Sequence, residues 1–410
     1  MSRRCSHGYL RRRRGRGPAL SVLASLSAVT ACSLVDLSDL TSGNLGDGGA
    51  TQDGARDTAV GETANGDAAD VREAGALDAG DDALVGPSDA DDARGDAADA
   101  VPDAGPDARP DAPDAGVDAA DAGPTSCHGS SMTCGTQSID CCASPLVAGG
   151  LFNRSNDVQY PATVSDFRLD AFEVTVGRFR RFVAAGYGTQ VKPPASGVGS
   201  HPTIASSGWN DAWNAGLPAS TSALVTAIKC NSTYQTWTDT PSTQENLPVN
   251  CLTWYIAFSF CAWDGGRLPT EAEWNYAAAG GGEQRSYPWS VPPSSTTIDN
   301  SYAAYNCMGD GSGPGICSVA DLRRVGSYAP KGNGKWGHAD LSGNVQEWLL
   351  DYRAEYPLPC DDCANLLPAA ERAERNWGWA SSSPETTDQR NGDPPGFTNE
   401  NVGVRCARQP

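Results

Sequence analysis

Apolar positions are spaced for regular structure mainly between residues 167 and 282. FRLDAFEVTVGRFRRFVAAG (167–186) reads as a strand followed by an amphipathic helix. Phe179, Phe182 and Val183 fall on one helical face, Thr175 stands where an N-cap is needed, and Gly186 stands where the helix should stop. A second helix is predicted over 253–264, with Trp254, Ala257, Phe258, Cys261 and Ala262 on its buried side and Gly265-Gly266 ending it. A third follows at once. Thr270 precedes Glu273 by three residues, which is a capping box; Trp274, Ala277 and Ala278 point inward, and the glycines from Gly280 terminate the helix.

Between these helices, residues 187–246 are rich in Gly, Ser, Thr and Pro with little periodicity, so they read as loops. The chain beyond 282 is again loop-dominated, punctuated by Trp, Gly and Pro as in YPWS and GSYAPKGNGKWG. This pattern fits a large, irregular α+β domain with small sheets.

The N-terminal third is of another kind. Residues 1–32 hold a basic run (RRRRGR) and a short apolar stretch over 19–31, too short to span a bilayer and in proportion for a signal peptide. The stretch ends Val29-Thr30-Ala31-Cys32, the form of a bacterial lipobox, in which Cys32 is lipidated and becomes the mature N-terminus. An ordinary cleaved signal peptide with an incidental cysteine is the alternative. Residues 33–125 repeat Ala, Asp, Gly and Pro loosely, with few aromatic or β-branched residues, so they cannot bury enough apolar surface to offset their ordering entropy. They are expected to form an extended, solvated, acidic tether. The protein is therefore expected to be exported and held by lipid to the cell envelope, at the outer membrane or cell surface.

Charge follows the same division. The whole chain carries −20, but the first 32 residues carry +7 and the tether −19, which leaves −8 for residues 126–410. A mildly acidic domain without a basic stripe excludes nucleic acid as the expected partner.

Of 14 cysteines, Cys5 lies in the signal and Cys32 is the lipid site; the other twelve are an even number in an exported protein, so disulfides are the default. Cys127, Cys134, Cys141 and Cys142 form a Cys-rich lead-in over 126–143, with the globular domain taken as 144–410. Cys360-Asp-Asp-Cys363 is open to three readings: a short structural disulfide, a redox pair, or half of a metal site. No second CxxC and no nearby histidine completes a zinc set.

Three blocks in order carry a family resemblance: LPVNCLTWYIAFSFCAWDGGRLPTEAEWNYAAAGGG (247–282), DLSGNVQEW (340–348) and GVRCAR (403–408). Together they resemble the formylglycine-generating enzyme, or sulfatase-modifying-factor, family. The resemblance implies an enlarged C-type-lectin-like fold. It also implies a disulfide from Cys261 to Cys406; with local spacing, it favours Cys230 with Cys251 and Cys307 with Cys317. It further implies a structural Ca²⁺, held by the side chains of Asp340 and Glu347 and the carbonyls of Gly343 and Val345, an oxygen set such an ion suits. A second family calcium site, near 306–318, is not expected, because no carboxylate matches and a disulfide could brace the region instead.

The resemblance fails at the chemistry. The family enzyme oxidises a substrate cysteine with oxygen and a copper(I) held by two soft thiolates just after an RGGS-type motif. Here that motif is Arg375-Asn376-Trp377-Gly378, and no cysteine occurs between Cys363 and Cys406. Bound copper and formylglycine formation are not expected, and no residue is assigned a catalytic role. The remaining surface is the cleft the family uses for peptide, where Trp289, Trp377 and Trp379, with Trp209 and Tyr287, could line an aromatic groove. The expected function is a non-catalytic envelope lipoprotein binding a protein, peptide or glycan. The alternative is a divergent formylglycine-generating oxidoreductase acting on cysteine-containing proteins.

Overall fold

The computed structural model describes residues 123–410. The expected export signal with Cys32, and nearly all of the expected acidic tether, lie outside the described residues.

Four helices form: α1 Val176–Ala184, α2 Thr221–Ala227, α3 Trp254–Trp263 and α4 Glu271–Ala278. Threonine caps hold three of them, those at Thr175 and Thr270 as expected. Thr175 accepts the Arg178 N–H, Thr253 accepts the Ile256 N–H, and Thr270 with Glu273 closes a full capping box. Helix α2 was not expected. It is one short element inside the 187–246 region read as loop, capped by Ser220 and pinned by the buried Leu224. A Ser/Thr-rich seven-residue helix offers too few apolar positions to show a period.

The strands are short: β1 Thr133–Cys134, β2 Ile139–Asp140, β3 Leu146–Val147, β4 Gly150–Asn153, β5 Pro161–Val164, β6 Phe167–Leu169, β7 Gln346–Tyr352, β8 Arg372–Arg375, β9 Asn391–Asp393, β10 Val402–Gly403 and β11 Ala407–Arg408. Four small sheets result. The largest runs β10-β7-β8-β9, with β10 parallel to β7 and the other pairs antiparallel; another runs β11-β6-β3; β4-β5 and β1-β2 are hairpin pairs. The first and last strands of the globular domain therefore share one sheet: β3 and β11 flank β6.

Two apolar clusters hold these sheets. One packs α1 against α3 through Phe179, Phe182, Phe258 and Phe260 and continues to Trp348 and Val404. The second packs α4 against the β4–β5 pair and the inner face of β7 through Phe152, Trp274, Ala277 and Leu349. Buried Arg178 in α1 bridges Asp170 (2.9 Å) and Asp264 (2.6 Å), and Arg408 bonds both acids as well. The Ser126 N–H also reaches Asp264, at 2.6 Å, so the lead-in is docked on the domain rather than hung from it.

Candidate functional site

Every cysteine among the described residues is in a disulfide: Cys127–Cys142, Cys134–Cys141, Cys230–Cys251, Cys261–Cys406, Cys307–Cys317 and Cys360–Cys363. The three pairs drawn from resemblance and spacing are present. The CxxC pair is a short bridge beside the β4–β5 sheet, where the Cys360 carbonyl accepts the Thr163 N–H. Cys127, Asp140 and Cys142 sit close enough for a metal, but both sulfurs are committed to each other.

The segment that the resemblance matches to the copper motif is the loop from Arg375 to Asn391, joining β8 to β9. It is pinned along its length. Arg375 donates to the carbonyls of Thr387 (2.9 Å) and Gln389 (2.6 Å) and bonds Glu271 of α4 at 3.1 Å. Arg390 closes on the same Glu271 with two bonds of 2.6 Å. The Trp379 N–H meets the Asn344 carbonyl at 2.7 Å, the Cys307 N–H meets the Trp379 carbonyl, and the Asn306 N–H meets the Ser381 carbonyl. Glu271 thus organises the loop, and Arg267 pairs with Glu273 within α4's capping turn. Both ion pairs act as braces between elements.

Two carboxylates beneath this loop are unusual. Glu374 is fully buried and Glu385 nearly so, and none of their four oxygens has a hydrogen-bond donor. Burial first, then the Asp393 carboxylate, pushes the Glu374 carboxyl up to about 9. Burial pushes Glu385 up to about 8 against the pull of Arg375. Burial thus favours the protonated, uncharged form of both carboxyls.

The aromatic candidates separate. Trp379 is buried against Tyr234, and Trp209 is buried against Trp213 and Phe258; both are core, which corrects their placement in a groove. Their large apolar area is worth more inside than on a surface. Trp289 is half-buried in a stack, 5.0 Å from Tyr287 and 5.2 Å from Tyr302, with the Lys331 ammonium 3.8 Å beyond the Tyr302 ring. Trp377 is 42% exposed at the start of the β8–β9 loop. The Thr387 N–H bonds the Ser286 carbonyl, which joins that loop to the segment carrying Tyr287 and Trp289. What remains of the expected groove is the stack of Tyr287, Trp289 and Tyr302, with Trp377 exposed on the β8–β9 loop. Tyr302 escaped the sequence reading because a stacking partner is set by folding, not by spacing.

Three of the four calcium-ligand candidates, Asp340, Gly343 and Val345, lie on the turn leading into β7, and Glu347 is the second residue of that strand. Backbone φ values of 57° at Asp340, 89° at Gly343 and 63° at Asn344 coil it tightly, and a Cβ at Gly343 would collide with the Ala304 carbonyl. Each candidate oxygen group, however, already has a protein donor. Glu347 accepts from Arg405 and from Trp274 Nε1 (2.7 Å), and Asp340 accepts the Gly326 N–H at 2.6 Å. The Gly343 and Val345 carbonyls both accept from the Asn376 side-chain amide. As arranged, the set does not fit a calcium ion, whose six to eight oxygens must face one point unopposed by N–H groups.

A family profile for the sulfatase-modifying factor enzyme 1-like domain matches residues 134–410, two thirds of the chain. The chain belongs to this family. The sulfatase-modifying-factor domain here is similar to the inactive C-alpha-formylglycine-generating enzyme 2 of Mus musculus, 34% identical over 163 residues, which cover 39% of this chain and 49% of that protein. It is also similar to the formylglycine-generating enzyme of Streptomyces coelicolor, 32% identical over 179 residues, covering 40% and 52%. Among solved structures, PvdO from Pseudomonas aeruginosa superposes with a TM-score of 0.44 at 18% identity, over 66% of this chain and 96% of that one. The chain spans about half the length of these curated relatives. Its fold is the loop-rich α+β, C-type-lectin-like architecture of the family.

Proposed function

We propose that this protein is an exported lipoprotein, anchored through Cys32, whose sulfatase-modifying-factor domain binds an envelope protein, peptide or glycan without catalysing oxidation. One observation carries the non-catalytic part: the β8–β9 loop offers serines at 381, 382 and 383 and no thiol, while all twelve described cysteines are consumed in disulfides. Copper(I) needs soft sulfur ligands, and among the described residues none is free to hold it. Similarity to relatives named as inactive points the same way.

Binding rests on the ledge of Tyr287, Trp289 and Tyr302 with exposed Trp377. Flat aromatic faces at a rigid loop suit sugar rings or peptide side chains by stacking. The acidic balance of the domain argues against nucleic acid.

The decisive experiment uses the full-length protein produced in an oxidising compartment. Bound copper and iron are measured by mass spectrometry, and oxygen uptake is followed with a cysteine-containing peptide. No redox metal and no uptake are expected. Copper near one per chain together with oxygen consumption would replace this reading with a divergent formylglycine-generating oxidoreductase.

A further inference from the structure

We infer that the side-chain amide of Asn376 fills an oxygen cage in the 340–347 turn, standing where a cation would otherwise sit, so that this protein folds independently of calcium. Three backbone carbonyls converge on one atom. Asn376 Nδ2 lies 2.5 Å from the Gly343 oxygen, 2.9 Å from the Val345 oxygen and 3.3 Å from the Asp340 oxygen. Asn376 Oδ1 accepts the Gly343 N–H at 2.6 Å, which sets the amide's orientation and turns its nitrogen, not its oxygen, toward the carbonyls.

Carbonyls do not converge without a reason. Three like-oriented dipoles repel unless a positive group sits between them, and the two usual solutions are a hard cation or an N–H donor. The turn reaches this geometry through its run of left-handed residues at Asp340, Gly343 and Asn344. Asn376 comes from the opposite side, at the end of β8, and is itself left-handed, with φ 72°. Asparagine tolerates that conformation better than other side chains with a Cβ, so the backbone needs no rearrangement to present the amide. Asn376 is 2% exposed, and its nitrogen has no alternative solvent partner.

The carboxylates complete the argument. Glu347 is neutralised by Arg405, and its second donor is Trp274. Asp340 is turned onto the Gly326 N–H, and Glu173, which approaches the turn, is spent on the Val345 N–H (3.0 Å) and the Asn344 side chain (2.6 Å). Negative charge that would attract a cation has therefore been given protein partners. An amide supplies two N–H groups for three acceptors, which matches two short contacts and one long one.

The test is metal dependence of stability in the full-length protein. Thermal melts in a chelator and in millimolar calcium should superimpose, and mass spectrometry should find no calcium retained after dialysis. One calcium per chain, or a chelator-lowered Tm, would overturn the inference. The variant Asn376→Gly opens the cage while keeping the left-handed backbone. In chelator it should melt lower by an amount on the order of 5 °C, and calcium should restore most of that loss. A variant that melts like the parent in chelator, or that calcium does not rescue, also overturns it. Should the variant fail to fold, the parent's chelator and mass measurements still decide.

Discussion

Arg405 lies against Glu347 with its Nε 2.7 Å from one carboxylate oxygen and its Nη2 2.7 Å from the other, and both side chains are fully excluded from solvent. The pair joins β7 to the segment between β10 and β11, and the same guanidinium reaches the Ala339 carbonyl at 2.9 Å. Breaking it by Arg405→Met strands a buried carboxylate and should cost about 3–5 kcal/mol, read from urea denaturation midpoints. Adding Glu347→Leu should recover part of that loss, because the uncompensated charge is then gone. A single variant as stable as the parent would show that the pair is not the brace described.

The Cys261–Cys406 bridge ties α3 to the C-terminal segment across 145 residues of sequence. The double variant Cys261→Ala/Cys406→Ala should lose about 4–5 kcal/mol on the chain-entropy account, with relaxation reducing the figure. Local bridges such as Cys360–Cys363, separated by three residues, should cost less on removal. Parallel denaturation of the two double variants checks the order.

Stability should respond to pH in two opposite directions. Burial alone would raise Glu273, but Arg267 and His201 outweigh it and hold the carboxyl at about 2. Its contribution is present above the unfolded carboxylate range near pH 4.3 and is lost as pH falls toward 2. Glu374 is the reverse: raised to about 9, it keeps a proton in the folded state that the unfolded chain releases, so folding weakens as pH climbs from about 4.3 to 9. Glu374→Gln should flatten that alkaline slope and raise stability at pH 8, by an amount on the order of 1–3 kcal/mol after allowing for relaxation. Denaturation midpoints at pH 5 and pH 8 are the measurement; an unchanged slope would mean that Glu374 is ionised in the folded state.

Trp377 and Trp289 separate binding from stability. Trp377→Ala should change stability by no more than about 0.5 kcal/mol, since the side chain is exposed. Trp289→Ala removes the middle of a three-ring stack and should cost more. Both should weaken binding to any glycan or peptide that the parent protein captures on an array. Full retention in both variants would move the binding surface off the ledge.

Much of the scaffold was legible because its causes are local. Helices α1, α3 and α4 carry their apolar faces and stop signals within a dozen residues each, so the caps Thr175 and Thr270 and the start of α3 at 253 could be placed before any tertiary contact was known. Helix α2 was hidden because its stability comes from Leu224 entering the core rather than from its own pattern. The resemblance carried the long-range pairing of Cys261 with Cys406, which spacing could not have supplied.

The amino-acid order by itself determined the charge division of the chain, the helix caps at Thr175 and Thr270 and the absence of a thiol pair after Arg375, since each depends only on neighbours in sequence. Tertiary structure alone decided the rest. Whether a tryptophan is ledge or core, whether a carboxylate has a donor, and whether three carbonyls meet a cation or the Asn376 amide depend on segments tens to hundreds of residues apart. Those outcomes are set by burial and by the direction of partner dipoles, and neither exists until the chain has folded.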